Sequence, residues 1–143
     1  MKTKLSLLIL SLLTLSCDHS ADEVKNSDAI VGFWSRQSVY LNGVNSNEHA
    51  DFLNGGTNHL HIRKDNTFGR AYDNGTWLLS DGMLVLDRIE SGGFADWTYK
   101  IVHHLNDSLV LDTQLTEGEY CCDFPSFAED EVITIREVYK KLE

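Results

Sequence analysis

Apolar and polar residues alternate along most of this chain with a period of two, in runs too short for helices. Residues 58–89 show it most clearly, reading NHLHIRKD, NTFGRAYDN, GTWLLSDG and MLVLDRI. Breaks fall at Lys64-Asp65-Asn66, Asp73-Asn74 and Ser80-Asp81-Gly82. Short β-branched and aromatic runs, parted every ~8 to 12 residues by Asp, Asn and Gly, predict antiparallel hairpins joined in order, because those turn residues accept positive φ. Leu60 and Ile62 share one face of the first run, opposite His59, His61 and Arg63. Phe68, Arg70 and Tyr72 then alternate with Gly69 and Ala71, Trp77 aligns with Leu79, and Met83 and Val85 part from Leu84 and Leu86.

The same reading extends to both sides. Residues 29–41 (AIVGFWSRQSVYL) predict an opening strand with Trp34, Arg36, Ser38 and Tyr40 on one face and Phe33, Ser35, Gln37, Val39 and Leu41 on the other. Residues 42–57 break the alternation, with a turn at Asn42-Gly43 and a short helical segment over 47–53, in a loop long enough for a lid. After Ser91-Gly92-Gly93, residues 94–104 align Trp97, Tyr99, Ile101 and His103; after Asn106-Asp107, residues 108–115 align Leu109, Leu111, Thr113 and Leu115. An acidic excursion over 116–130 leads to a last strand over 131–139. About eight sequential antiparallel strands, with no long helix, leave an up-and-down barrel or a sandwich. The short turns favour the barrel, whose closure removes exposed sheet edges.

The amino terminus changes the picture. MKTKLSLLILSLLTLSC combines Lys2 and Lys4 with an apolar stretch, a small residue at Ser16, and Cys17, the layout of a cleaved signal peptide and too short for a span. Its end resembles the lipobox of bacterial lipoproteins, with Thr14 where leucine is usual. That resemblance implies acylation of Cys17, which becomes the first residue of a lipid-anchored protein of the cell envelope, on the outer membrane at its periplasmic or surface side. The organisation expected is a signal peptide over 1–16, a lipidated terminus and polar tether over 17–28, and a barrel domain over 29–143.

Removing 16 of the 143 residues leaves 127, enough for one core. It also takes two basic and no acidic residues, so the net charge moves from −10 to −12. Such an acidic domain excludes nucleic acid and repels anionic lipid headgroups. Beyond Cys17 only Cys121 and Cys122 remain, too close in sequence for an ordinary disulfide. They are either two thiols or a strained vicinal ring.

Several features in order look like the lipocalin-like domains of bacterial lipoproteins, within the calycin-type barrels. They are Gly32-Phe33-Trp34, Thr67-Phe68 after Lys64-Asp65-Asn66, Gly75-Thr76-Trp77 before Ser80-Asp81-Gly82, Asp107-Ser108-Leu109-Val110-Leu111, and a basic closing strand. The resemblance covers roughly residues 30–142. It implies a barrel entered at Gly32, with Trp34 plugging its closed end under an arginine of the last strand, for which Arg136 is the candidate. The chain lacks the family's usual helix before that strand.

A carrier of this kind would bind a small hydrophobic or amphipathic molecule through Phe68, Arg70, Tyr72, Trp77, Trp97 and Tyr99. Arg70, between Phe68 and Tyr72, has the planar fork that clamps a carboxylate if its face is internal; the commoner role of such a residue is a strand-end arginine reaching solvent. His59 and His61, with His103, His104, Cys121 and Cys122, are metal-ligand types, but no Cys-x-x-Cys or His-Glu-x-x-His spacing joins them, and solvent-side histidines are the expected reading. No nucleophile elbow or phosphate loop is present, so neither catalysis nor a cofactor is expected. Glu129-Asp130-Glu131 reads as a solvated run. Three tryptophans and many leucines in so short a chain keep a second reading open, a barrel filled by its own side chains and acting as a structural or protein-interaction module.

Overall fold

The computed structural model describes residues 27–47, 59–70, 73–89, 96–116, 119 and 127–142. A single helical turn, α1 (Ser27–Ile30), precedes nine strands: β1 (Gly32–Leu41), β2 (Val44–Asn45), β3 (His59–Ile62), β4 (Thr67–Arg70), β5 (Asp73–Ser80), β6 (Met83–Arg88), β7 (Trp97–Leu105), β8 (Ser108–Thr116) and β9 (Val132–Lys141). Each strand from β3 to β9 pairs antiparallel with the next, and β1 pairs with both β3 and β9. The result is a closed eight-stranded, all-antiparallel barrel, consistent with a calycin-type fold; β2 is a short hairpin arm on β1. The opening strand thus begins at Gly32 rather than residue 29, because the turn of α1 comes first.

The alternation predicts most of the interior. Leu60, Ile62, Phe68, Trp77, Leu84, Leu86, Trp97, Tyr99, Leu109, Leu111, Ile133, Ile135 and Tyr139 all face in and form one apolar cluster. Two faces differ from the sequence reading, and each difference is a β-bulge, which inserts one residue and reverses the parity beyond it. In β1 the register shifts between Arg36 and Ser38, so Trp34 and Arg36 face in, but so do Val39 and Leu41, while Tyr40 turns away from the core. In β7 the shift lies between Ile101 and His103, and His103 is exposed rather than aligned with Trp97, Tyr99 and Ile101.

The two ends of the barrel are unlike. Tight hairpins over 63–66, 81–82 and 106–107 sit at one end, where β1 begins and β9 finishes. Asp81 and Gly82 both have positive φ (50° and 73°), as a two-residue type I′ hairpin requires. At this end the Trp34 indole donates to the Ile30 carbonyl at 2.8 Å, tying α1 across the opening. The long connections, over 46–58, 89–96 and 117–131, join strands at the opposite end. The expected helical segment over 47–53 and the residues Cys17, Tyr72, Cys121 and Cys122 lie outside the described residues.

Candidate functional site

Polar side chains enter the interior by the same parity that directs the apolar ones. Arg36 shares its face with Trp34, Arg70 with Phe68, Arg88 with Leu84 and Leu86, and Glu137 with Ile133, Ile135 and Tyr139. Arg70 is only 2% exposed and Glu137 is wholly buried. The solvent-reaching role expected for Arg70 is therefore corrected: its strand position faces inward. The guanidinium forms an ion pair with Glu137 and a short hydrogen bond to the Tyr99 hydroxyl. Arg36 Nη1 approaches the same Glu137 Oε1 at 3.4 Å, and the Tyr139 hydroxyl donates to Oε2 at 3.2 Å. Three side chains, from β4, β1 and β9, so meet one carboxylate, and Tyr99 of β7 holds Arg70 beside it.

Toward the long-connection end the cluster becomes cationic and aromatic. Arg70 Cζ lies 4.4 Å and Arg88 Cζ 4.6 Å from the Trp97 ring centroid. Arg88 also comes within 3.9 Å of Asp73 at the rim. Buried cations over an indole are held by its negative π face, more strongly where water is excluded. The Trp97 Nε1 hydrogen is buried and has no acceptor among the described residues. Leaving such a donor unpaired costs roughly 1–3 kcal/mol, so the position calls for an acceptor. Burial pushes the Tyr99 and Tyr139 hydroxyls well above the ordinary tyrosine range; the nearby Glu137 charge pushes the same way, and Arg70 opposes it. Both are neutral hydrogen-bond partners at physiological pH.

Of the side chains expected to line a binding site, Arg70, Trp97 and Tyr99 come together here. Phe68 and Trp77 lie deeper, toward the tight-turn end, where Trp77 Nε1 donates to the Arg63 carbonyl at 2.9 Å. Sequence reasoning missed Arg36, Arg88, Glu137 and Tyr139. Their signal was present, since each occupies the apolar phase of its strand, and a charge in that phase demands a partner across the barrel.

Arg136 does not cover Trp34. It sits on the outer face of β9, in a two-pronged bond with Asp112 on β8 (both 2.7 Å), which raises its pKa further. Lys141 takes the expected place, its Nζ 5.2 Å from the Trp34 ring, because the odd-numbered residues of β9 face inward. His59 and His61 lie on the outer wall and pack against Phe33 at ring-centroid distances of 4.8 and 5.4 Å. Among the described residues no group of three or more His, Cys, Asp or Glu is placed to hold a metal. Glu129, Asp130 and Glu131 are exposed.

Two grooves of about 540 and 360 Å³ lie on the outer wall rather than inside, the larger between Tyr40, Val110, Val138 and the Asp112–Arg136 pair, the smaller beside Thr98, Lys100 and Gln114. Comparison of the chain with protein-family models, with curated proteins and with solved structures finds no match.

Proposed function

We propose that this protein is a non-catalytic, lipocalin-like binding domain of the bacterial cell envelope, held to a membrane by acylation of Cys17, and that it takes a small amphipathic molecule at the long-connection end of the barrel. The observation that carries the reading is the buried Trp97 N–H without an acceptor, beneath two guanidinium groups. An anionic headgroup supplies the missing acceptor and meets Arg70 and Arg88.

Titration of dodecanoate and dodecanol against the purified protein tests this. Charge-assisted hydrogen bonds are worth about 1.5–3 kcal/mol, so the acid binds at least about tenfold tighter than the alcohol. Substituting Arg70→Gln together with Glu137→Gln, which removes both charges of the pair and leaves Arg88, reduces that preference. Equal affinity for the two amphiphiles, or an unchanged preference in the double variant, overturns the headgroup site.

One observation favours the second reading, a filled barrel acting as a structural or interaction module. Trp34, Phe68, Tyr99 and Tyr139 are fully buried, and the fork of Arg70 is already engaged by Glu137. Absence of binding by either amphiphile, with no co-purifying molecule in native mass spectra, decides for it.

A further inference from the structure

The chain carries 22 acidic residues against 12 basic ones, yet they are unevenly spread over the barrel. On the four adjacent strands β9, β1, β3 and β4 no carboxylate faces outward: β1, β3 and β4 contain none, and Glu137, the only one of β9, points into the core. What this wall does show at the tight-turn end is basic and aromatic. Lys140 stands opposite Ser35, which pairs on its other side with His59; Phe33 pairs with His61. The Arg63 guanidinium lies over Gly69 of β4, within 3.0 Å of where a Cβ would stand. Lys64 is exposed in the adjoining turn, where Asp65, the nearest acid, is turned back onto Thr67 at 2.7 Å. Phe33 is 36% exposed, and Leu142, whose amide donates to the Phe33 carbonyl, is exposed beside it.

We propose that this wall is the face on which the domain lies against an anionic lipid surface. The proposal rests on the Cys17 anchor, because the chain enters the barrel at this same end. Nine residues, 18–26, separate Cys17 from α1. Even fully extended they reach about 30 Å, so the anchor holds the wall beside the bilayer at high effective concentration. A weak interfacial attraction then suffices: each lysine or arginine near an anionic surface strengthens association about fivefold, and Phe33 and Leu142 are the residue types that enter the headgroup region. Asp65, Asp81 and Asp107 in the turns of this end oppose the contact, whereas acids at the other end lie beyond a Debye length of about 8 Å and are screened. In this pose the long-connection end, with Arg88 and Trp97, points away from the membrane and stays open to ligand.

Quenching by brominated lipid reads the pose directly, since the three native tryptophans are buried. Two full-length variants are extracted from membranes and reconstituted: Phe33→Trp on the proposed contact and Ile89→Trp, an exposed position at the far end. Brominated phosphatidylcholine vesicles with phosphatidylglycerol quench Phe33→Trp at least about twice as strongly as Ile89→Trp, and raised salt removes the difference. Adding Lys64→Gln and Lys140→Gln weakens the contact about fivefold for each lysine neutralised. Equal quenching at the two positions, stronger quenching at Ile89→Trp, or indifference to phosphatidylglycerol overturns the proposal. The mass of the same samples reports the acyl chains separately. A sample without them removes the anchor, while its quenching by added vesicles still reads the wall.

Discussion

Glu137 is the residue on which the interior depends. A carboxylate with no exposed surface is tolerable only when its charge is matched, and here Arg70, Arg36 and Tyr139 share the task. Removing one partner of such a pair leaves an uncompensated buried charge. Arg70→Gln alone therefore costs about 3 kcal/mol, toward the low end for broken buried pairs because Arg36 remains. The double variant Arg70→Gln, Glu137→Gln loses less than the single one, and urea unfolding of both measures the difference. A double variant as unstable as Arg70→Gln would mean that the pair's packing, not its charge, matters.

Gly75 shows a different constraint. A Cβ there would stand 1.9 Å from the Asp87 carbonyl oxygen and 2.9 Å from the Phe68 ring, so β5 approaches β6 more closely than a side chain permits. Since the nearest obstacle is backbone, Gly75→Ala destabilises by about 1–3 kcal/mol or more, read as a lowered melting temperature.

At the scale of the strand, the bulges decide which residues face the core. Gln37 is the extra residue of β1, with Arg36 opposite Tyr139 and Ser38 opposite Val138. Deleting Gln37 restores regular alternation and leaves Trp34, Arg36, Val39 and Leu41 inward, so the shortened protein still melts cooperatively, at a lower temperature. Deleting Ser35 also absorbs the bulge and keeps Trp34 in phase with Val39 and Leu41, but it turns Arg36 outward, away from Glu137, so this variant melts at a lower temperature than the Gln37 deletion. Circular dichroism of the two deletions separates these outcomes. A Ser35 deletion as stable as the Gln37 deletion would show that the inward position of Arg36 adds nothing to stability.

The whole molecule is an asymmetric barrel, closed at one end by Trp34, α1, His104 and Lys141. His104 packs edge-on to Trp34 at 5.9 Å, and its buried Nε2 has no hydrogen-bond partner among the described residues. Burial chiefly holds its pKa below the usual histidine value, with Lys141 and His103 adding and the Ala29 backbone opposing. A lowered folded-state pKa means that the neutral ring is favoured by folding. This contribution is present above the unfolded value of about 6.5 and is lost as pH falls below it. Melting temperatures recorded from pH 7.5 downward fall less steeply for His104→Gln than for the native chain, and identical slopes would remove His104 from the account.

Period-two alternation and the Asn-Gly and Asp-Gly turns by themselves determined an all-β barrel of hairpins with Leu60, Ile62, Phe68, Trp77, Trp97 and Tyr99 inside, because side-chain direction in a regular strand follows from position alone. The tertiary structure decided what alternation cannot carry. A bulge turns Val39 and Leu41 inward and His103 outward, since a bulge is a property of the strand pair rather than of either strand. The parity of β9 gives Trp34 to Lys141 and Arg136 to Asp112. The meeting of Arg36, Arg70, Tyr99 and Tyr139 with Glu137 exists only after the barrel closes, because those residues lie as far as 101 positions apart in the chain and share no local signal.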